Sequence, residues 1–315
     1  MLNNFHNNEI SLIPKEGKLQ EIHKDLMEIR QRSSQKATLG EIMVLGGKLI
    51  FLLMSCFDKM ARGGLQSFFH WLSENSAYDT TAPAPATSTS YGLLGGSRGQ
   101  QPLTSQHRIT ASLAMGIEFF LKGIPLLKPR VYQLGAIRKP PVIIYSDAEW
   151  TVLDNPPRIK KGLGGIMWQP GELPYAAAVD TPQQLVDALS VRKTQIIPLE
   201  LMAAAGMLVT YGHLLRGEDV IFFIDNQSVC CALVKGCSRS WDIQLLSTCW
   251  QLLCLQLGCR VWIEWVPSES NPADILSRDG ITYETTKNNN VDTLLLPRWA
   301  NVKIDKDIKK VFDSI

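Results

Sequence analysis

The pattern of apolar and polar positions changes character near residue 140. Before it, apolar residues recur at helical spacing. Leu19, Ile22, Leu26 and Ile29 lie three and four residues apart with charges between them, which predicts an amphipathic helix over residues 15–35. A second helix is predicted from Thr38 to Phe57. Thr38-Leu39-Gly40-Glu41 has the form of a capping box at its start, and Gly46-Gly47 weakens its middle. Leu65 to Leu72 is a third apolar stretch, and a further helix is predicted from Thr110 to Lys122. Between these, residues 79–101 are almost entirely Thr, Ala, Pro, Ser and Gly, which predicts a flexible loop. Pro125, Pro129, Pro140 and Pro141 punctuate a connector.

Beyond Pro141 short apolar runs alternate with longer helical patterns. Strands are predicted at Val142–Asp147, Gly162–Trp168, Pro174–Val179, Val220–Asp225 and Arg260–Val266. Helices are predicted at Pro198–Gly212, Gln227–Val234, Ser240–Leu257 and Pro272–Ser277. The order β-β-β-α-β-α-α-β-α implies an α/β architecture, a mixed five-stranded sheet with flanking helices. Three parts are expected: a mostly helical region over 1–140, an α/β domain over 141–280, and a polar tail over 281–315.

Composition changes this picture at three points. The net charge of +2 hides an asymmetry: residues 1–140 carry 16 Lys and Arg against 10 Asp and Glu, and residues 141–315 carry 16 against 20. A basic first part joined to an acidic second part suits a nucleic-acid grip beside a metal site. The seven cysteines are odd in number and form no CxxC, which points to reduced thiols and against structural zinc. The chain opens on polar residues, and its most apolar run, the 16 residues Ile42–Phe57, includes Lys48. That run is shorter than the ~20 residues of a membrane helix. No membrane contact is expected, and an intracellular setting, cytoplasm or nucleus, is.

Four acids stand out by position. Asp147 closes the run VIIYSD and Asp225 closes VIFFID, each at the end of a strand apolar enough to be buried on both faces. The C-terminal edge of such strands is where open α/β sheets bind ligands. Glu200 shares a helix face with Ala203, Met207, Leu208 and Tyr211, so it is directed inward, and a buried carboxylate is costly unless paired or metal-bound. Asp274 follows Asn271-Pro272-Ala273 in a predicted first helical turn. Carboxylates brought together repel one another and call for a cation. Oxygen-only ligands favour Mg²⁺ or Mn²⁺, and two such ions are a known device for phosphodiester hydrolysis.

With these acids in place, the stretch Pro141–Arg278 resembles the ribonuclease H domain of retroelement reverse transcriptases. The resemblance rests on YSDA at 145–148, GLGGIMW at 162–168, LELMAA at 199–204, FIDNQS at 223–228 and WVPSESNPADILSR at 265–278. The last is similar to the ending seen in tyrosine-recombinase (DIRS-like) retrotransposons. The resemblance implies a ribonuclease-H-like fold and Mg²⁺-dependent cutting of RNA in an RNA–DNA hybrid. It makes Asp147, Glu200, Asp225 and Asp274 the catalytic, metal-binding acids, with two Mg²⁺ or Mn²⁺ ions as cofactors. It also suggests nucleic-acid contacts by Asn226, Lys235, Arg239 and Asn271, and a larger complex with other protein subunits.

The helices of residues 48–72 resemble the thumb and connection region that follows a retroelement polymerase palm. No Asp-Asp pair occurs in the sequence, so the palm motif is absent. A histidine that many cellular ribonucleases H carry before the last Asp is replaced by the loop Ser268-Glu269-Ser270-Asn271, where Glu269 is a candidate proton acceptor. The 53 residues from Asp147 to Glu200 are long for this fold, and the extra length is expected in loops at 154–162 and 180–195, which carry Arg158, Lys160, Lys161, Arg192 and Lys193. Two other readings stand beside the nuclease: a non-catalytic nucleic-acid-binding subunit or remnant, and an integrase or transposase of the same fold. The position of Glu200 before Asp225 favours ribonuclease H over the last.

Overall fold

A computed structural model of the chain describes residues 9–12, 17–52, 61–76, 102–127, 130–133, 139–154, 157–301 and 308–315. The first part holds β1 (Glu9–Leu12), α1 (Lys18–Arg30), β2 (Lys36–Thr38), α2 (Leu39–Leu52), α3 (Arg62–Asn75), β3 (Gln106–Arg108), α4 (Ala111–Gly123) and β4 (Arg130–Gln133). The capping box forms as expected. Thr38 N–H donates to Glu41 Oε2 at 2.8 Å, and Glu41 N–H donates to Thr38 Oγ1 at 3.2 Å. Thr110 caps α4 by accepting from Leu113 N–H. β1 pairs with β4 and β2 with β3, both antiparallel. Neither pair is foreshadowed in the sequence, because segments of three or four residues are too short for a strand pattern to stand out. The expected flexible loop over 79–101 lies outside the described residues, as does Cys56.

The second part holds β5 (Val142–Asp154), β6 (Pro157–Trp168), β7 (Tyr175–Asp180), α5 (Gln183–Ala188), α6 (Ile196–Thr210), α7 (Gly212–Leu215), β8 (Asp219–Ile224), α8 (Gln227–Lys235), α9 (Trp241–Leu257), β9 (Arg260–Trp265), α10 (Asp274–Asp279), α11 (Tyr283–Asn288), β10 (Asn290–Thr293) and α12 (Ile308–Asp313). The architecture is a mixed α/β sheet with flanking helices. Its order is β10-β7-β6-β5-β8-β9. β5, β6 and β7 are antiparallel neighbours, while β5-β8, β8-β9 and β7-β10 are parallel.

Three expectations need correction. The sheet has six strands, not five, because Asn290–Thr293 adds to the edge beside β7. The segment expected as a polar tail therefore contributes a strand. It also buries Leu294, Trp299, Val311 and Phe312, and α12 packs on α4. Finally, the first strand does not stop at Asp147. β5 and β6 continue as a long hairpin paired from Ile143↔Trp168 to Asp154↔Pro157. Much of the length between Asp147 and Glu200 is this hairpin, not a loop.

Helices cover the two faces of the sheet differently. α6 is buried all round and packs on β5, β6 and α9. α10 lies on the other face, over β5, β6 and β7. Adjacent glycines of β6 show why both helices come so close. A Cβ on Gly165 would collide with Met207 Sδ of α6, and one on Gly164 would meet Ser277 N of α10 at 2.6 Å. Neighbouring residues of a strand point to opposite faces, so each glycine admits a different helix. One apolar core runs from Ile22 in the first part to Phe312, and Gly63 N–H of α3 donates to Gln251 Oε1 of α9 at 3.0 Å. Trp250 is buried in this core, edge-on to Phe222 at 6.2 Å, and Trp241 packs against it. Among the described residues no helix is long and apolar enough to cross a membrane.

Candidate active site

β5 and β8 are parallel neighbours only as far as Ser146↔Ile224. Asp147 and Asp225 come next, so both stand just past the β5–β8 pairing; Asp225 follows the end of β8 as expected, whereas Asp147 lies within β5, which runs on to Asp154 paired with β6. Glu200 is the fifth residue of α6 and is buried. Asp147, Glu200 and Asp225 each offer a carboxylate oxygen within 4.8 Å of the others. Glu200 Oε2 and Asp225 Oδ1 are buried without a hydrogen-bond partner.

Asp274 is the exception among the four acids. It opens α10, as expected for a first-turn residue, but lies outside that group of three. Its carboxylate pairs with Arg278 at 2.9 Å, one turn along the same helix, and is 31% exposed. Its charge still reaches Asp147.

Burial and mutual repulsion control the protonation of the buried acids. Burial pushes Asp147 up to about 7, and the charges of Asp225 and Asp274 add to the rise. The Ser277 hydroxyl opposes it by donating to Asp147 Oδ2. Burial also carries Glu200 well above the usual carboxylate range, with Asp147 and Asp225 contributing in the same direction. Two of the three acids therefore resist full ionisation near neutral pH unless positive charge arrives.

The remaining candidates separate on inspection of their partners. Asn226 caps α8: its Oδ1 accepts from Ser228 N–H at 3.1 Å and Val229 N–H at 3.3 Å. It borders the acids, and its carbonyl end is engaged within the helix. Lys235 and Arg239 are exposed at the far end of α8 and in the turn that follows. Asn271 is buried, its Nδ2 donates to the Ser146 carbonyl at 3.1 Å, and its Oδ1 accepts from Ala273 N–H at 3.1 Å. It ties the start of α10 to β5. Glu269 is exposed on a short 3-10 turn, Ser268–Ser270.

Of the basic loop residues, Lys160 pairs with Glu149 at 3.2 Å and Asp279 at 3.8 Å. Lys161 donates to Gln183, and Arg192 pairs with the buried Asp242. The side chain of Arg158 lies outside the described residues.

Two contributors escape a reading of the sequence. Ser277, three residues after Asp274 on α10, is buried and holds Asp147. Gly162 and Gly164 let α10 lie against β6, and Gly164 is the register partner of Asp147. The signal is present: glycines inside a strand mark a close backbone approach.

No protein-family model and no curated protein sequence matches the chain. Solved structures similar to it include ribonuclease H1 of Halobacterium salinarum NRC-1, with 15% identity over 46% of this chain and 97% of that one and a TM-score of 0.30. The N-terminal ribonuclease H domain of a Mycobacterium tuberculosis protein gives 20% identity over 44% and 93%, with a TM-score of 0.32. A type 1 ribonuclease H carrying the type 2 active-site motif gives 14% over 50% and 89%, with a TM-score of 0.33.

Proposed function

We propose that the chain is a metal-dependent nuclease of the ribonuclease H type, derived from a retroelement reverse transcriptase, that cuts the RNA strand of an RNA–DNA hybrid. One observation carries this reading. Three carboxylates from β5, α6 and the end of β8 meet within 4.8 Å, those of Asp147 and Glu200 buried and that of Asp225 half-buried, and two of their oxygens have no hydrogen-bond partner. Such an arrangement is unfavourable for folding alone. The oxygen-only donor set and the unpartnered atoms fit a hard divalent cation, Mg²⁺ or Mn²⁺. Asp147, Glu200 and Asp225 are the residues that would hold it, with Asp274 the outermost acid at the rim. A cation there supplies a lowered pKa for bound water and neutralises charge on a phosphodiester.

The chain's own groups set the rest. Ser277 orients Asp147, Asn271 anchors α10 to β5, and Asn226 fixes the turn that follows Asp225. Lys235, the last residue of the nine-residue and so about 13 Å long α8, and Arg239 after it would supply phosphate contacts. The sequence motifs around all four acids support the substrate class and the retroelement origin. Recognition would rest on the A-like shape of the hybrid and on 2′-hydroxyls.

The test is incubation of the purified chain with labelled RNA–DNA hybrid, RNA duplex and DNA duplex, in Mg²⁺ or in EDTA. Cleavage of the RNA strand of the hybrid alone, abolished by EDTA and by Asp225→Asn, is expected. Cleavage by Asp225→Asn at the wild-type rate would sink the site.

A further inference from the structure

Asp225 sits between two ladders and belongs to neither. β8 ends at Ile224, whose carbonyl accepts from Val266 N–H at 3.2 Å. The first helical carbonyl of α8 is that of Asn226, which accepts from Cys230 N–H at 3.0 Å. The carbonyl of Asp225 itself belongs to neither the β8–β9 pairing nor the α8 hydrogen bonds given above. It accepts from the indole N–H of Trp265, the last residue of β9, at 2.8 Å.

Trp265 is 43% exposed, on an edge strand of the sheet. A large apolar ring left half in water is poorly explained by burial, since it forgoes part of the gain of full burial. What its position achieves is the hydrogen bond. The turn is thereby held from both sides: Asn226 Oδ1 binds the amides that follow it, and Trp265 binds the carbonyl of Asp225 itself. The Asp225 carboxylate, whose Oδ1 is buried and unpartnered, has its direction set by this main chain.

Resting on the function proposed above, we infer that Trp265 is a positioning residue of the nuclease site, which holds the main chain of Asp225 so that its carboxylate stays aimed at the cation position. It acts through Asp225 and touches no reacting atom.

Trp265→Phe removes the N–H and keeps an aromatic ring. A net hydrogen bond of ~0.5–1.5 kcal/mol that is needed for catalytic geometry converts to a fall in kcat of about two- to twelvefold. KM for the hybrid should stay within about twofold, because the phosphate contacts are elsewhere. The second readout needs no turnover: the rise in Tm that Mg²⁺ causes, measured in wild type, Trp265→Phe, Asp225→Asn and the double variant. Trp265→Phe should shrink that rise in the wild-type background and add nothing in the Asp225→Asn background, since both changes act on one carboxylate.

A wild-type kcat in Trp265→Phe would overturn the inference while leaving the nuclease reading intact. So would equal effects on the Mg²⁺ response in the two backgrounds. Loss of the fold outright would overturn it too, because it would give Trp265 a purely structural role. A wild-type chain that neither cleaves hybrid nor responds to Mg²⁺ would remove the nuclease reading and this inference together.

Discussion

Replacing Gly164 with alanine should disable the site from the opposite side of Asp147. Gly164 is the register partner of Asp147 across the β5–β6 pair. A Cβ there would stand 2.6 Å from Ser277 N and 2.7 Å from both the carbonyl carbon and the Cβ of Leu276. Favourable carbon contacts lie at ~3.5–4.0 Å, so α10 must retreat by about 1 Å. The obstructing atoms are mostly main chain and cannot rotate aside as a side-chain tip would. Overpacking of this kind costs ~1–3 kcal/mol, which for a domain of this size lowers Tm by about 3–8 °C.

The larger effect is on geometry. Ser277 Oγ is carried on the displaced helix, and its bond to Asp147 does not survive a shift of about 1 Å. Misplacement on that scale costs ~10²-fold in rate. Thermal unfolding and single-turnover cleavage of the hybrid measure the two effects on one preparation. A Gly164→Ala protein with wild-type Tm and wild-type cleavage would show that α10 is not held against β6 in the way described.

Other consequences can be measured directly. Gly47 lies exposed inside α2, and a methyl added there would have nothing within 4 Å, so Gly47→Ala should stabilise by ~0.5–1 kcal/mol, read as a higher urea midpoint; no change or a fall would contradict it. In EDTA, the folded chain keeps a proton on Asp147 up to about 7, whereas the unfolded chain loses it near 3.8. Metal-free stability should therefore fall as pH rises across that window, and Asp147→Asn should flatten the slope; a Tm that climbs from pH 5 to 7 refutes the argument. Removing residues 1–140 strips α3 and α4 from α9 and leaves Gln251 without Gly63 and Phe312 without α4, so fragment 141–315 should unfold at lower urea than the full chain; equal midpoints would mean the two parts are energetically independent.

The strands that carry acids are legible in the sequence because burial on both faces forces continuous apolar runs, VIIY before Asp147 and VIFFI before Asp225. The capping box of α2 is legible because its two hydrogen bonds are local. What cannot be read depends on partners distant in sequence. NVDT at 290–293 has no strand signature, and it is a strand because β7 offers an unpaired parallel edge. The far end of the β5–β6 hairpin mixes Trp150, Val152 and Leu153 with polar residues and is held by its own pairing, not by a buried face. Asn271 reads as a ligand-binding amide in a polar loop. Only the fold shows that both ends of its side chain are engaged by the main chain of β5 and α10.

Net charge does not by itself locate a patch, for a related reason. The basic excess of residues 1–140 suggests a nucleic-acid grip, yet Arg30 pairs with Glu118, Arg32 with Glu41, Lys48 with Glu21 and Asp25, and Lys122 with Asp313. These cations serve packing between helices before any ligand arrives. Around the acids the sequence cannot show how the charge is managed. Arg278 is engaged with Asp274, and Lys160 with Glu149 and Asp279. The groups that orient Asp147 and Asp225 are neutral: a serine hydroxyl, an asparagine carbonyl and an indole N–H. Neutral groups fix direction without supplying positive charge, so the cost of burying and crowding these acids is left for a ligand to relieve. That explains how the acids can be held so close while Arg278 and Lys160 are occupied with other carboxylates. It also requires that charge removal at the site, by Asp225→Asn or by added Mg²⁺, raise the Tm of the EDTA-treated chain, whereas Ser277→Ala, which removes a neutral donor, lowers it.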